Sequence, residues 1–283
     1  MLTLKKIRNF LLPGLFLFLF FAGCDKIEPP YMTDHTGHNG AGEVTRKVLL
    51  EEFTGHQCPN CPAGHQMAKE LKTLYGERLV IVSIHAGWFA RVSEPPFDYD
   101  FTSPAGDELN THFGVELYPI GMVNRKSESG SPLIGPTAWA EVVSQIIDLD
   151  PDFHIELSLN YLPEERKLEV NADIHALTAS PNQYSFSAFL TEDGIISPQK
   201  INDPDYPSGV IEDYEHNHVL RKGINGTWGE TLNDIAIQTG DVFSRSYSVN
   251  LDTDWIAENC NVVAFVYDST TREVVQVEKM ALP

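Results

Sequence analysis

Cys58-Pro59-Asn60-Cys61 places two thiols at the point where an apolar run, residues 47–53, gives way to a helical pattern, residues 62–75. On the first turn of a helix, cysteines so spaced lie close enough to close a small disulfide ring. The outer sulfur faces the positive end of the helix dipole, which favours its thiolate. Such a pair can carry thiol–disulfide exchange, with Cys58 as an exposed attacking thiolate and Cys61 as the thiol that resolves the mixed disulfide. A helix dipole worth about 1 kcal/mol lowers a thiol only modestly from its usual pKa of roughly 8.5. The N–H groups of Asn60 and Cys61, and charge on His56, would have to supply the rest.

A second chemistry draws on the same residues. Cys58 and Cys61 with His56 and His65 form a donor set that zinc accepts. His65 lies one helical turn past Cys61 and His56 in the preceding loop, which strains tetrahedral closure, so no metal is expected. Covalent haem attachment is excluded because Pro62 stands where C-x-x-C-H needs histidine, and no cofactor is expected. Glu52, six residues before Cys58, is the candidate to take the proton of Cys61 if its strand is buried. Glu51 alternates with it, and period two turns only one of the pair inward. The relay role is assigned to Glu52, against the reading that one carboxylate merely faces solvent. Farther along, His216-Asn217-His218 on a strand would send both imidazoles to one face, a candidate ligand patch without a third donor at defined spacing. Cys260 precedes the apolar run 262–266 and reads as a buried, inert thiol.

The elements that must hold these groups are visible as periodicity. Lys5, Lys6 and Arg8 precede an apolar stretch from Phe10 to Phe21 that ends in Phe21-Ala22-Gly23-Cys24, the pattern of a lipoprotein export signal over residues 1–23. The stretch is shorter than the roughly 20 residues of a spanning helix. Cleavage before Cys24 would leave it as the lipidated first residue, and acyl chains at about 0.8 kcal/mol per buried methylene anchor stably. Residues 24–43, with Pro29-Pro30 and Gly37, Gly40 and Gly42, read as a flexible tether. Residues 44–150 alternate strand signals (47–53, 79–85 and the run after Pro119) with helix signals (62–75, 102–113 and 137–149), the order of an α/β layered domain. From 151 to 283, period-two runs at 153–159, 167–172, 184–189, 242–250, 262–267 and 274–278 read as an antiparallel, Ig-like β-sandwich domain.

The stretch from Val48 to Cys61 resembles the active-site strand and loop of the thioredoxin superfamily, and Tyr118-Pro119, placed before a strand, resembles the cis-proline of that family. The resemblance implies a thioredoxin-like α/β/α domain in which Cys58 is the nucleophile and Cys61 resolves. Glu52 would be its buried acid, and Tyr118 and Pro119 would shape a groove for an extended substrate segment. Asn60 stands where strongly oxidising periplasmic members carry histidine. The cleavage box, the run Glu51-Glu52-Phe53-Thr54-Gly55-His56, the run from His216 to Arg221, and Asn225-Gly226-Thr227-Trp228-Gly229 also resemble the outer membrane protein 28-kilodalton lipoprotein family of Bacteroides-like bacteria. That likeness implies an outer-membrane lipoprotein, at the periplasmic face or the cell surface, with a thioredoxin-like module and a β-rich C-terminal domain.

Charge narrows the partners. The 283-residue chain carries a formal net charge of -20, and the three basic residues of the leader are lost on cleavage. Nucleic acid rewards basic patches and is excluded; the membrane contact runs through the lipid on Cys24. Two functions stand as expectations. One is an envelope-anchored thiol–disulfide oxidoreductase acting on protein thiols and disulfides through Cys58 and Cys61. The other is an outer-membrane surface binding or adhesion lipoprotein in which the Cys58–Cys61 disulfide is structural and the β-domain binds a polypeptide or glycan.

Overall fold

The computed structural model describes residues 44–127 and 130–283; the export signal, the tether with His35 and His38, and Cys24 lie outside the described residues. β1 (Val48–Thr54) and β2 (Leu79–His85) are buried along their whole length. They pair in parallel, as strands covered on both faces do, and the crossover between them is α1 (Cys61–Tyr75). α2 (Pro104–Phe113) is opened by Ser103, whose hydroxyl accepts the N–H of Gly106, and closed by Gly114 in the left-handed conformation. β3 (Ile120–Val123) runs antiparallel along the other edge of β1, and α3 (Pro136–Ile146) follows with Trp139 wholly buried.

The second half opens with the long strands β4 (Phe153–Leu162), β5 (Lys167–Ala176) and β6 (Tyr184–Glu192). Four two-residue pieces follow: β7 (Ile195–Ile196), β8 (Gln199–Lys200), β9 (Val210–Ile211) and β10 (Glu215–His216). Then come β11 (Val219–Gly223), β12 (Glu230–Thr231), β13 (Val242–Asn250), β14 (Cys260–Asp268) and β15 (Val274–Ala281).

Strands from both halves share one sheet, in the order β15-β14-β6-β11-β2-β1-β3, with β12 paired to β6. The halves join where Val219 of β11 lies parallel beside Ser83 of β2, and the N–H of Ser83 donates to the carbonyl of His218 at 2.8 Å. One face of this sheet carries an apolar layer that includes Leu49, Phe53, Val82, Phe189 and Phe265 and packs against Ala105 and Leu109 of α2. On the other face α1 and α3 cover Val48, Leu50 and Ile81, while β13-β5-β4 covers Phe186, Leu190 and Val262. The protein is therefore mixed α/β, mostly sheet with few helices, and among the described residues no sheet closes into a barrel.

This double cover corrects the expectation for Glu51 and Glu52. Both are buried, at 0% and 3% exposure, on opposite faces of β1, and neither faces solvent. Alternation decides which face a residue takes, but it leaves a residue exposed only where one face is wet. Glu51 receives Nε and Nη2 of Arg125 at 2.7 and 2.6 Å, with neither side chain exposed. The guanidinium lies 5.1 Å from the ring centre of Phe265 and 5.6 Å from that of Phe113.

Candidate functional site

α1 begins at Cys61 with Asn60 as its N-cap, so Cys58 sits in the turn before the helix. The N–H of Cys58 donates to the carbonyl of Gly55, and the two cysteines form a disulfide. Gly55 is required by a close approach: a Cβ there would stand 2.4 Å from the carbonyl carbon of Phe89, whose oxygen accepts the N–H of Gln57.

The expected exposed thiol is not found. Cys58 is 1% exposed and Cys61 is fully buried. Their cover comes from the second half of the chain. The side-chain amide of Gln199 donates to the carbonyls of Cys58 at 2.9 Å and Gly55 at 3.4 Å. The N–H groups of Lys200 and Asn202 donate to the carbonyls of His56 and Pro59 at 2.8 and 2.9 Å. This strap, closed on itself by the β8–β9 pairing, lies over Cys58 and the residues before it, while Asn60 stays exposed.

The four candidate zinc ligands are engaged elsewhere. The sulfurs are bonded to each other. His65 uses Nε2 with the hydroxyl of Thr54 and Nδ1 with that of Tyr214, both at 2.7 Å, and His56 donates from Nε2 to the carbonyl of Arg91. Among the described residues no three metal-ligating side chains converge.

The Tyr118–Pro119 bond is cis, the Tyr118 hydroxyl donates to Asn110, and Pro119 packs against Gly64 of α1. A Cβ on Gly64 would meet that of Pro119 at 2.9 Å. Gly64→Ala is therefore expected to cost about 1–3 kcal/mol, although alanine is the better helix former. The readout is a lower urea midpoint at unchanged slope; an unchanged midpoint would mean that the ring of Pro119 gives way freely.

Glu52 accepts the hydroxyl of Ser83 on Oε1 at 2.6 Å, while its Oε2 is buried without a partner. With Ser83 and His85 it forms one wall of a cavity of about 730 Å³, which α1 and residues 214–218 close from the other side. The site thus occupies the carboxyl ends of the parallel strands, where open α/β sheets leave room for ligands. His216 donates from Nε2 to the carbonyl of Ser197 and leaves Nδ1 unpartnered; both nitrogens of His85 are unpartnered. Burial pushes His216 down to about 3, and burial, with the nearby imidazole of His216, pushes His85 well below the usual imidazole range. Both rings are therefore neutral at pH 7.

The His216-Asn217-His218 run does not alternate as a strand. β10 ends at His216, and His218 takes a left-handed backbone, φ 60°, that sets its Nδ1 2.9 Å from Asp193. Burial alone would raise Asp193, but the hydrogen bond and charge of His218, with Lys279, hold its carboxyl well below the usual range. Cys260 is buried, and desolvation, with the charge of Glu192, pushes its thiol up to about 12.

Sequence reasoning missed Arg125, Gln199 and His85. Only His85 left a usable signal: it ends a predicted strand two places after Ser83, in phase with Glu52 on the neighbouring strand.

Fold and site together define a sheet-dominated α/β protein with a capped, buried disulfide beside a polar cavity. No helix among the described residues is long and apolar enough to cross a membrane. The model of the family described as outer membrane protein Omp28 matches residues 106–283. The chain belongs to that family, and its place is the outer membrane. The match begins beyond Cys58 and Cys61. Among solved structures the chain is similar to HBP35 of Porphyromonas gingivalis, with 20% identity, a TM-score of 0.63, and 86% of this chain and 77% of that one covered. A protein from Agrobacterium tumefaciens is similar over 84% of this chain and 95% of its own, at 11% identity and a TM-score of 0.50. A domain of the outer membrane lipoprotein Omp28 from Porphyromonas gingivalis matches 47% of this chain and 88% of its own at 21% identity, with a TM-score of 0.32 that is too low to bear on the fold. No curated protein matches the sequence.

Proposed function

We propose that this is a lipid-anchored binding lipoprotein of the outer membrane, in which the Cys58–Cys61 disulfide is a structural bond and the β-rich half presents the surface that takes a polypeptide or glycan. The observation that carries the reading is the burial of both sulfurs beneath the Gln199 strap. An exchange enzyme needs its outer sulfur within reach of the partner's disulfide. Here the four hydrogen bonds of the strap stand in the way. Acyl chains on Cys24 would provide the anchor after removal of residues 1–23, with residues 24–43 as the tether, at the periplasmic face or the cell surface. The architecture attached to this reading is a thioredoxin-like domain over 44–150 and a β-sandwich over 151–283. Its support is the parallel β1-α1-β2 unit with antiparallel β3, and the facing layers formed by β13-β5-β4 and by β6 with β14.

One observation favours the oxidoreductase instead. Cys61 opens α1, and Glu52 on the preceding strand is buried with a free oxygen, an arrangement able to take up a proton. In that reading Cys58 attacks, Cys61 resolves, and Tyr118 and Pro119 shape the substrate groove. Equilibration with thiol buffers separates the two. The structural reading expects a reduction potential below about -300 mV, and a value between about -270 and -120 mV would overturn it in favour of exchange.

A further inference from the structure

The cavity beside α1 has an imbalance that the disulfide does not explain. Three carboxylates of the sheet lie at 3% exposure or less: Glu51, Glu52 and Glu192. Glu51 is paired with Arg125 and Glu192 with Arg221 at 2.7 Å, whereas Glu52 has no ion pair with a lysine or arginine among the described residues, and its neighbour His65 is lowered by burial. A carboxylate taken out of water without a counter-charge is costly, so such a site is completed by a cation or by a proton.

The open hydrogen-bonding positions around Glu52 favour the cation. Oε2 of Glu52 can only accept when the group is ionised. Nδ1 of His216 accepts, because the ring proton is donated to Ser197. Neutral His85 offers one donor and one acceptor. With Glu52 ionised, three acceptors thus face one donor, and a molecule that fits them brings hydrogen-bond donors and positive charge. A volume of about 730 Å³ is far more than a bare ion or a few waters require and lies within the range of small-molecule sites. At the rim, Lys72 is occupied by the carbonyl of Leu79 at 3.0 Å and by Glu77 at 3.4 Å, while Lys69 is exposed.

We propose that this cavity binds a small amine or guanidine whose cationic end sits on Glu52 Oε2 beside the contacting rings of His85 and His216. The site goes beyond the binding surface assigned to the β-rich half and does not depend on the potential of the disulfide.

The test is calorimetric titration of the full chain in detergent with agmatine, butane-1,4-diamine and butane-1,4-diol. Saturable binding of at least one of the two cations is expected, and none of the diol. Glu52→Gln should weaken that binding by at least roughly tenfold, since it removes one partner of a buried charge pair. Lys69→Ala, at an exposed position that the fold does not need, should tighten it by removing a like charge at the rim. No saturable binding of either cation, equal binding of the diol, or Lys69→Ala binding no tighter than the parent chain would each overturn the proposal. All three results leave the disulfide potential untouched, so this site and the reading of the disulfide fail separately.

Discussion

Arg125→Met is expected to lower the unfolding free energy by about 3–5 kcal/mol, the cost of leaving one buried charge without its partner. Glu51 and Arg125 are both inaccessible to solvent and joined by two hydrogen bonds at 2.6 and 2.7 Å. Methionine approximates the length of the arginine stem and keeps contact with Phe113 and Phe265, so the loss isolates the charge rather than the packing. The companion Glu51→Leu/Arg125→Met should recover most or all of the loss, because desolvation of the pair is then no longer required. Urea unfolding of the parent, the single and the double variants measures this directly. A single variant within about 1 kcal/mol of the parent would show that water reaches Glu51 once the arginine is gone.

The second large effect is acid lability that begins well above the carboxylate range. An unfolded histidine titrates near 6.5, while His216 in the fold is pushed down to about 3 by burial, so between those values the unfolded chain binds the extra proton. Stability from this group is therefore fully present above about pH 6.5 and lost as the pH falls, at about 1.4 kcal/mol per unit. At pH 5 His216 alone removes about 2 kcal/mol. His85 and His65 are lowered by burial as well and act in the same direction. Urea midpoints at pH 7.5 and pH 5 should differ accordingly, and His216→Gln should flatten the dependence. Equal midpoints for the parent chain would mean that these rings take up protons without unfolding, by opening the cavity to water.

Most of the scaffold was legible because its signals are local. The run at 79–85, apolar but for Ser83 and His85, marks a strand buried on both faces, and the predicted strand coincides with the observed one. The helix expected over 102–113 ends where α2 does, at Phe113 before Gly114, but starts two residues later, because Ser103 caps it and Pro104 opens it. What stayed hidden depends on contacts far apart in sequence. Burial of both Glu51 and Glu52 follows from cover on both faces of β1, by Arg125, α2 and Phe265 over Glu51 and by α1 with residues 214–218 over Glu52, and Phe265 and residues 214–218 come from far along the chain. Cys58 looked exposed because nothing near it in sequence covers it; Gln199 does so from a two-residue strand too short to show a period. His218 departs from the strand expected for His216-Asn217-His218 through a backbone turn that is uncommon for a non-glycine residue.

The sheet that runs unbroken through both halves also sets an order of assembly. Ser83 cannot complete its pairing until Val219 exists, the N–H of Val274 closes onto the carbonyl of Asn124, and Gln276 accepts the N–H of Lys47 at the very start of the sheet. A chain delivered amino end first would hold β1, β2 and β3 paired with one another, with the far edge of β2 open until β11 arrived and the bonds of Lys47 and Asn124 unmade until β15 followed. Closure between such distant segments is slow, and the waiting edge is a template for wrong pairing. Completion of the first elements made is thus governed by β11 and β15, which lie far along the chain.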